Sequence, residues 1–259
     1  MMRRPTKERK KMIRQVLDHG YVQLVEHWGS EQQIIEAARM STDKGFEGWD
    51  KDYKLLKYLW KHKHMTPFEM PGMTIEVKAP IMVFREWQRH RVPFGYNEMS
   101  ARYVPLPDEN YLPRLEDVLA RSQEAATTKN RQAAGTGRVI TAGETASWLQ
   151  NLDKVYRFAQ KVYKEGLELG VPKEMARLPV PVGRYSRMRV TANLRGWLGF
   201  LALRMPYTAQ KEIRLYAEVV ALLAVEHFPK TMTLFMEDLV TNAPEPKANG
   251  HYAGLDRNK

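Results

Sequence analysis

The chain has 259 residues, of which 43% are apolar and 27% charged, with a formal net charge of +11 and no cysteine. This length suits one large domain or two small ones with a real core. The missing cysteines exclude disulfides within the chain, thiolate catalysis and Cys-ligated zinc or iron–sulfur clusters.

No run of about 18 apolar residues that would cross a membrane is present. Met1 to Lys11 is basic without the apolar stretch of a signal peptide, which fits a cytoplasmic protein. Charge is unevenly placed. From Lys173 to Arg204 there are seven Lys/Arg and one acid, Glu174, so +6 of the +11 falls within 32 residues. Such focusing favours an anion site over a diffuse basic surface.

Residues 1–15 are basic and expected to be flexible. The folded domain is expected over 16–240, with a polar, frayed tail over 241–259. Tyr21 to Trp28 alternates (Val22, Leu24) as a strand, and Glu31 to Arg39 reads as a short helix. Lys54 to Lys63 reads as another, with Leu55, Leu56, Leu59 and Trp60 on one stripe, ended by a turn at Thr66-Pro67. Met73 to Lys78 alternates as a strand. Pro80 is placed as the first residue of a helix running to about His90, which sets Arg85, Gln88 and Arg89 near one face.

Residues 104–113 are broken by prolines, and Ser122 to Gly143 is polar and Gly/Ala/Thr-rich, so 122–143 is expected as an insertion or mobile loop. Ala146 to Leu169 is a long amphipathic helix stopped by Gly170 and Pro172. Pro172 to Arg177 begins a further helix, and Met188 to Ala192 is a weak strand. Leu194 to Leu203 and Ala209 to Phe228 read as helices, the second burying Ile213, Tyr216, Ala217, Val220 and Ala224. The class is α+β, short strands among several helices. The fragment Gly135-Thr136-Gly137 follows no strand, so a Rossmann or P-loop reading is weak.

The densest chemistry lies between Arg85 and Tyr103. Four arginines, one histidine, two glutamates and one serine fall within 19 residues. Guanidiniums offer planar paired donors to phosphate and to carbonyl-rich heterocycles, so the stretch points to a nucleotide-like anion. His62 and His64, with Glu69 nearby, suggest a metal at first sight. Residues two apart do not share a helix face, however, and surface or capping histidines are the plainer reading; no metal site is assigned. His90 and Ser100 lack the orienting acid and the Gly-x-Ser-x-Gly elbow of a hydrolase, so Ser100 reads as a ligand contact or a cap. Arg177, Arg195 and Arg204 are open to the bland reading of surface ion pairs. Arg204 stands apart: it ends an apolar helix and should be partly buried beside an anion.

Taken together these residues resemble the flavin-dependent thymidylate synthases. Arg89-His90-Arg91 followed by Tyr-Asn-Glu-Met-Ser-Ala-Arg-Tyr over 96–103 is similar to that family's Arg-His-Arg motif, here with eight rather than seven residues before Ser100. Three further blocks agree in order: Ala37-Ala38-Arg39-Met40-Ser41, His64-Met65-Thr66-Pro67-Phe68-Glu69, and Asn193-x-Arg195 with Leu203-Arg204 and Ala209-Gln210. The resemblance implies reductive methylation of deoxyuridylate (dUMP) by a homotetramer, with FAD mediating, NADPH as reductant and 5,10-methylenetetrahydrofolate as carbon source. No nucleic acid or membrane partner is implied.

Carried over by motif, Ser41, Thr66, Glu69, Arg89, His90, Arg91, Asn193 and Arg195 would hold FAD. Glu86, Glu98, Ser100, Ala101, Arg102, Arg177 and Arg204 would hold dUMP. Arg204, Arg89 and His64 would stand nearest the chemistry. Gly199 and Thr208 replace an Asn and a His that contact flavin in some members. The alternatives are a flavin-dependent deoxypyrimidine-monophosphate hydroxymethylase and, from another class, a basic nucleic-acid-binding protein without catalysis.

Overall fold

The computed structural model describes residues 13–127 and 138–241. At its centre five antiparallel strands lie in the order β1-β2-β3-β5-β4. They are β1 (Ile13–Val16), β2 (Gly20–Trp28), β3 (Gly72–Pro80), β4 (Gly95–Glu98) and β5 (Tyr185–Asn193). Alternation in β3 and β5 buries Met73, Ile75, Val77 and Ala79 together with Met188, Val190 and Ala192. The register sets Ile75 opposite Val190 and Val77 opposite Met188, so one face of the sheet is continuously apolar.

Nine helices flank this sheet among the described residues: α1 (Glu31–Arg39), α2 (Trp49–Lys61), α3 (Ile81–Trp87), α4 (Leu115–Thr127), α5 (Ala142–Glu168), α6 (Lys173–Ala176), α7 (Leu194–Arg204), α8 (Lys211–His227) and α9 (Pro229–Thr241). Helix α7 packs on β3 and β5, α8 on β1 and β2, and α3 bridges β3 and α8. The expected stripe on α8 is buried throughout, from Ile213 to Ala224. Helix α7 carries charge only near its two ends, at Arg195 and Arg204, while Trp197, Leu198, Phe200 and Leu201 between them are buried. The Trp197 indole N–H donates to the Met73 carbonyl at 3.0 Å, which locks α7 onto β3.

Several expectations are corrected. Ile13 to Gln15 belong to β1, paired with β2, because Val16 reaches the core and draws the preceding residues into the sheet. Pro80 ends β3 and caps α3 rather than opening it. Helix α3 stops at Trp87, not near His90, so Arg89 lies beyond it. The cause is local. The Trp87 ring is fully buried and stacks on Phe200 at 4.8 Å, and the Tyr96 hydroxyl lies 3.0 Å from the Trp87 carbonyl and 2.5 Å from that of His90. The chain is turned to meet both.

The segment 122–143 is helical at both ends. Helix α4 runs to Thr127, and α5 opens at Ala142 behind a reciprocal cap between Thr141 and Glu144. Helix α5 ends before Gly170, whose φ of 79° suits glycine. Strand β4 and helices α4 and α9 have no counterpart among the expected elements. Residues 1–12, the Gly135-Thr136-Gly137 fragment and the tail over 242–259 lie outside the described residues. Among the described residues no helix is long and apolar enough to cross a membrane.

Candidate active site

Both ends of α7 are anchored by residues that the sequence singled out. At its C-terminal end the Arg204 guanidinium is only 17% exposed. Its Nη1 donates to the Glu86 carboxylate at 2.7 Å, its Nη2 to the Glu86 carbonyl at 3.0 Å, and its Nε to His90 Nε2 at 2.8 Å. A guanidinium carries five N–H bonds, so two remain for a ligand. The anionic neighbour expected for Arg204 is thus Glu86.

His90 Nε2 accepts from Arg204, which puts the imidazole proton on Nδ1. Burial, and then repulsion from Arg204, push the His90 pKa down to about 4, while Glu86 opposes the shift. His90 is therefore neutral near pH 7, and the charge of the trio resides on Glu86 and Arg204.

At its N-terminal end the Asn193 side chain accepts from the Gly196 amide at 2.9 Å and caps α7. Arg195 Nη1 meets the Glu69 carboxylate at 2.5 Å, and the Leu194 amide donates to the Pro71 carbonyl at 2.7 Å. These contacts bring the short 3₁₀ turn Thr66–Glu69 against α7. Gly196 faces Pro93: a Cβ built there would lie 2.6 Å from Pro93 Cδ. Glycine therefore lets the 91–94 turn settle on the first turn of α7. Asn193, Arg195, Glu69 and the Arg-His-Arg turn so converge along one helix.

Arg85, Arg89 and Arg91 are exposed, and their side chains make no hydrogen bond or ion pair among the described residues. Three exposed guanidiniums on and just beyond α3 are a donor set for a phosphate-bearing ligand.

The second group lies along β4 and beyond. The side-chain amide of Gln88 donates to the Glu98 carboxylate at 3.3 Å, tying β4 to the end of α3. Ser100 Oγ accepts from the Arg102 amide at 3.3 Å, and Ala101 is buried. Arg102 lies over the Tyr103 ring and is exposed. Lys173 Nζ donates to the Tyr103 carbonyl at 3.1 Å, which seats the one-turn helix α6 on this segment. Arg177 caps the C-terminal end of α6 and is exposed.

Two expected residues stay apart from these contacts. His64 is exposed in a ring cluster with Tyr58 and His62, the Tyr58–His64 centroids being 5.8 Å apart. Ser41 is exposed in the 3₁₀ turn that follows α1. The reading missed Tyr96, Pro93, Gln88 and Lys173 as contributors. Tyr96 and Gln88 stand inside the motif and were open to notice. The partners of Pro93 and Lys173 are about 100 and 70 residues distant, and no local pattern marks them.

The sequence profile of a family described as "Thymidylate synthase complementing protein" matches residues 23–230. A flavin-dependent thymidylate synthase of Thermosipho africanus is 37% identical over 224 residues, covering 86% of this chain and 93% of that protein. One of Thermus thermophilus is 37% identical over 228 residues, covering 88% and 80%. Among solved structures, the UMP/dUMP methylase PolB of Streptomyces cacaoi bound with 5-Br dUMP is similar at a TM-score of 0.74 and 28% identity, over 86% of this chain and 96% of that one. The same enzyme bound with 5-Br UMP gives a TM-score of 0.71 at 29% identity.

Proposed function

The chain belongs to the flavin-dependent thymidylate synthase family, and on that premise we propose that it converts dUMP to dTMP as a cytoplasmic homotetramer. The methylene carbon of 5,10-methylenetetrahydrofolate replaces the hydrogen on C5 of the pyrimidine, which leaves as a proton; tetrahydrofolate is released, and NADPH supplies the hydride that makes the carbon a methyl group. FAD, when bound, relays that hydride. The residues present suit such a group: the exposed Arg89 and Arg91 offer donors to its diphosphate, and Asn193, the Glu69–Arg195 pair and the turn that begins at Thr66 gather at the N-terminal end of α7.

The observation that carries the reading is the fixed Arg204. Three contacts to Glu86 and His90 hold it, and two of its five N–H bonds are left over for a ligand. A pyrimidine carbonyl that gains negative charge while C5 reacts is stabilised by donors already in place. Glu98, Ser100, Arg102 and Arg177 complete the nucleotide site, the two arginines neutralising its phosphate.

The test is an anaerobic incubation of the full chain with FAD, NADPH, methylenetetrahydrofolate and dUMP, followed by mass measurement of the nucleotide. A gained methyl group supports the proposal. A gained hydroxymethyl group moves the activity to the hydroxymethylase. An unchanged nucleotide with no bound flavin leaves the basic nucleic-acid-binding reading, recognisable by steep salt dependence. PolB's capture with both 5-Br dUMP and 5-Br UMP favours running UMP in parallel, since a ribonucleotide is then a second acceptor to examine.

A further inference from the structure

Arg184 lies outside the motifs and is completely buried. Its Nε donates to the Asn110 side chain at 3.0 Å, its Nη1 to the Pro107 carbonyl at 2.7 Å and its Nη2 to the Gln160 side chain at 2.7 Å. The Asp108 carboxylate stands 3.4 Å from Nη1, itself half exposed. A buried cation is costly, and an apolar side chain of like size would often stabilise as well or better. Its contacts therefore need a reason beyond stability.

Those contacts join two parts of the nucleotide site. Pro107 to Asn110 follow the segment that carries Ser100 and Arg102. Gln160 lies on α5, which leads to α6 and Arg177. The two helices are packed on each other at Gly166 of α5 and Ala176 of α6: a Cβ at Gly166 would lie 3.4 Å from that of Ala176. Between them the Val171 amide donates to the Gly166 carbonyl at 2.9 Å. A second tie lies nearer the site, from Lys173 Nζ to the Tyr103 carbonyl, next to Arg102. A third joins the Tyr156 hydroxyl of α5 to the Tyr111 carbonyl at 3.1 Å.

We propose that Arg184 and Lys173 are positioning residues that clamp the arm bearing Arg177 onto the segment bearing Ser100 and Arg102, and so set the width of the phosphate cradle. The role in binding rests on dUMP being the nucleotide; the clamp itself does not. Neither residue touches the substrate. Each acts through the arginine it places.

The test uses the full-length protein with FAD, and dUMP as the probe. Lys173→Met should raise the dUMP dissociation constant about tenfold, near the lower end for a charge-assisted hydrogen bond. Bound flavin and melting temperature should not change. Gln160→Leu should act in the same direction, and Lys173→Met remains informative if that core variant folds poorly. The deciding readout is a double-mutant cycle. Lys173→Met combined with Arg177→Ala should weaken dUMP binding by clearly less than the two single losses combined. Additive losses would mean that Lys173 contacts the phosphate by itself, and would overturn the clamp.

Amide hydrogen exchange gives a substrate-free check. Tyr103 and Val104, whose amides bond to the Ser100 carbonyl, should exchange faster in Lys173→Met. If the unaltered protein does not bind dUMP, the dUMP reading fails and exchange decides the clamp alone. Unchanged exchange would overturn it.

Discussion

Arg204 and Arg177 are both arginines at the ends of helices, yet they are held in opposite ways. Arg204 is mostly buried and bonded to Glu86 and His90 within the chain. Arg177 is exposed, and its own contact is a long 3.4 Å approach from Nε to the Glu174 carbonyl. The difference follows from solvent. A guanidinium in a half-dry pocket must have its partners supplied, whereas one in water is satisfied until a ligand arrives. The buried end is thus organised before binding and suits charge that develops during a reaction. The exposed end suits a charge that a substrate brings with it, such as phosphate.

The sharpest way to break this contrast is at the organised end. Arg204→Ala should lower kcat by roughly 100- to 1000-fold, as expected when a preorganised donor is lost. Arg204→Lys should not restore it, because an ammonium cannot reproduce a planar fork making three bonds. Single-turnover methylation at saturating dUMP measures both.

At the open end Arg177→Ala should weaken dUMP binding about tenfold or more, with an unchanged melting temperature. Unaltered affinity would remove Arg177 from the site. A milder change, Glu86→Gln, keeps an acceptor oxygen for Arg204 but takes away its countercharge, and should reduce kcat about tenfold or less, read at saturating dUMP.

The smallest effect concerns pH. The His90 pKa, about 4, is below its ordinary 6.5 because of burial and Arg204. Between these values the unfolded chain binds more protons than the folded one. The stabilisation from neutral His90 is therefore full above pH 6.5 and falls as pH drops toward 4. His90→Gln should flatten the melting profile across that window. A profile as steep as that of the unaltered protein would show that other groups govern it.

How much of this was legible beforehand depends on range. The alternation of β3 and β5 and the buried stripe of α8 are local patterns, and the structure follows them. The partial burial of Arg204 was legible too, because its helix is apolar on every side. Strand β4 was not: Gly-Tyr-Asn-Glu has no alternation, and it is a strand because β5 offers it an edge. The early stop of α3 depends on Tyr96 reaching back and Trp87 turning inward, both tertiary effects. Arg184 gave no signal, since a buried arginine and an exposed one look alike in sequence.

Helix α7 also has a consequence for change over evolutionary time. Arg204 stands nine positions beyond Arg195, and at 1.5 Å of rise and about 100° of turn per position this fixes both the span and the relative heading of the two cations. A loop such as the one between Arg91 and Ser100 is under no such periodic constraint. A single residue inserted within α7 would swing Arg204 about 100° away from Glu86 and His90. The helix is a ruler whose length is closed to insertion, while its surroundings stay free to drift.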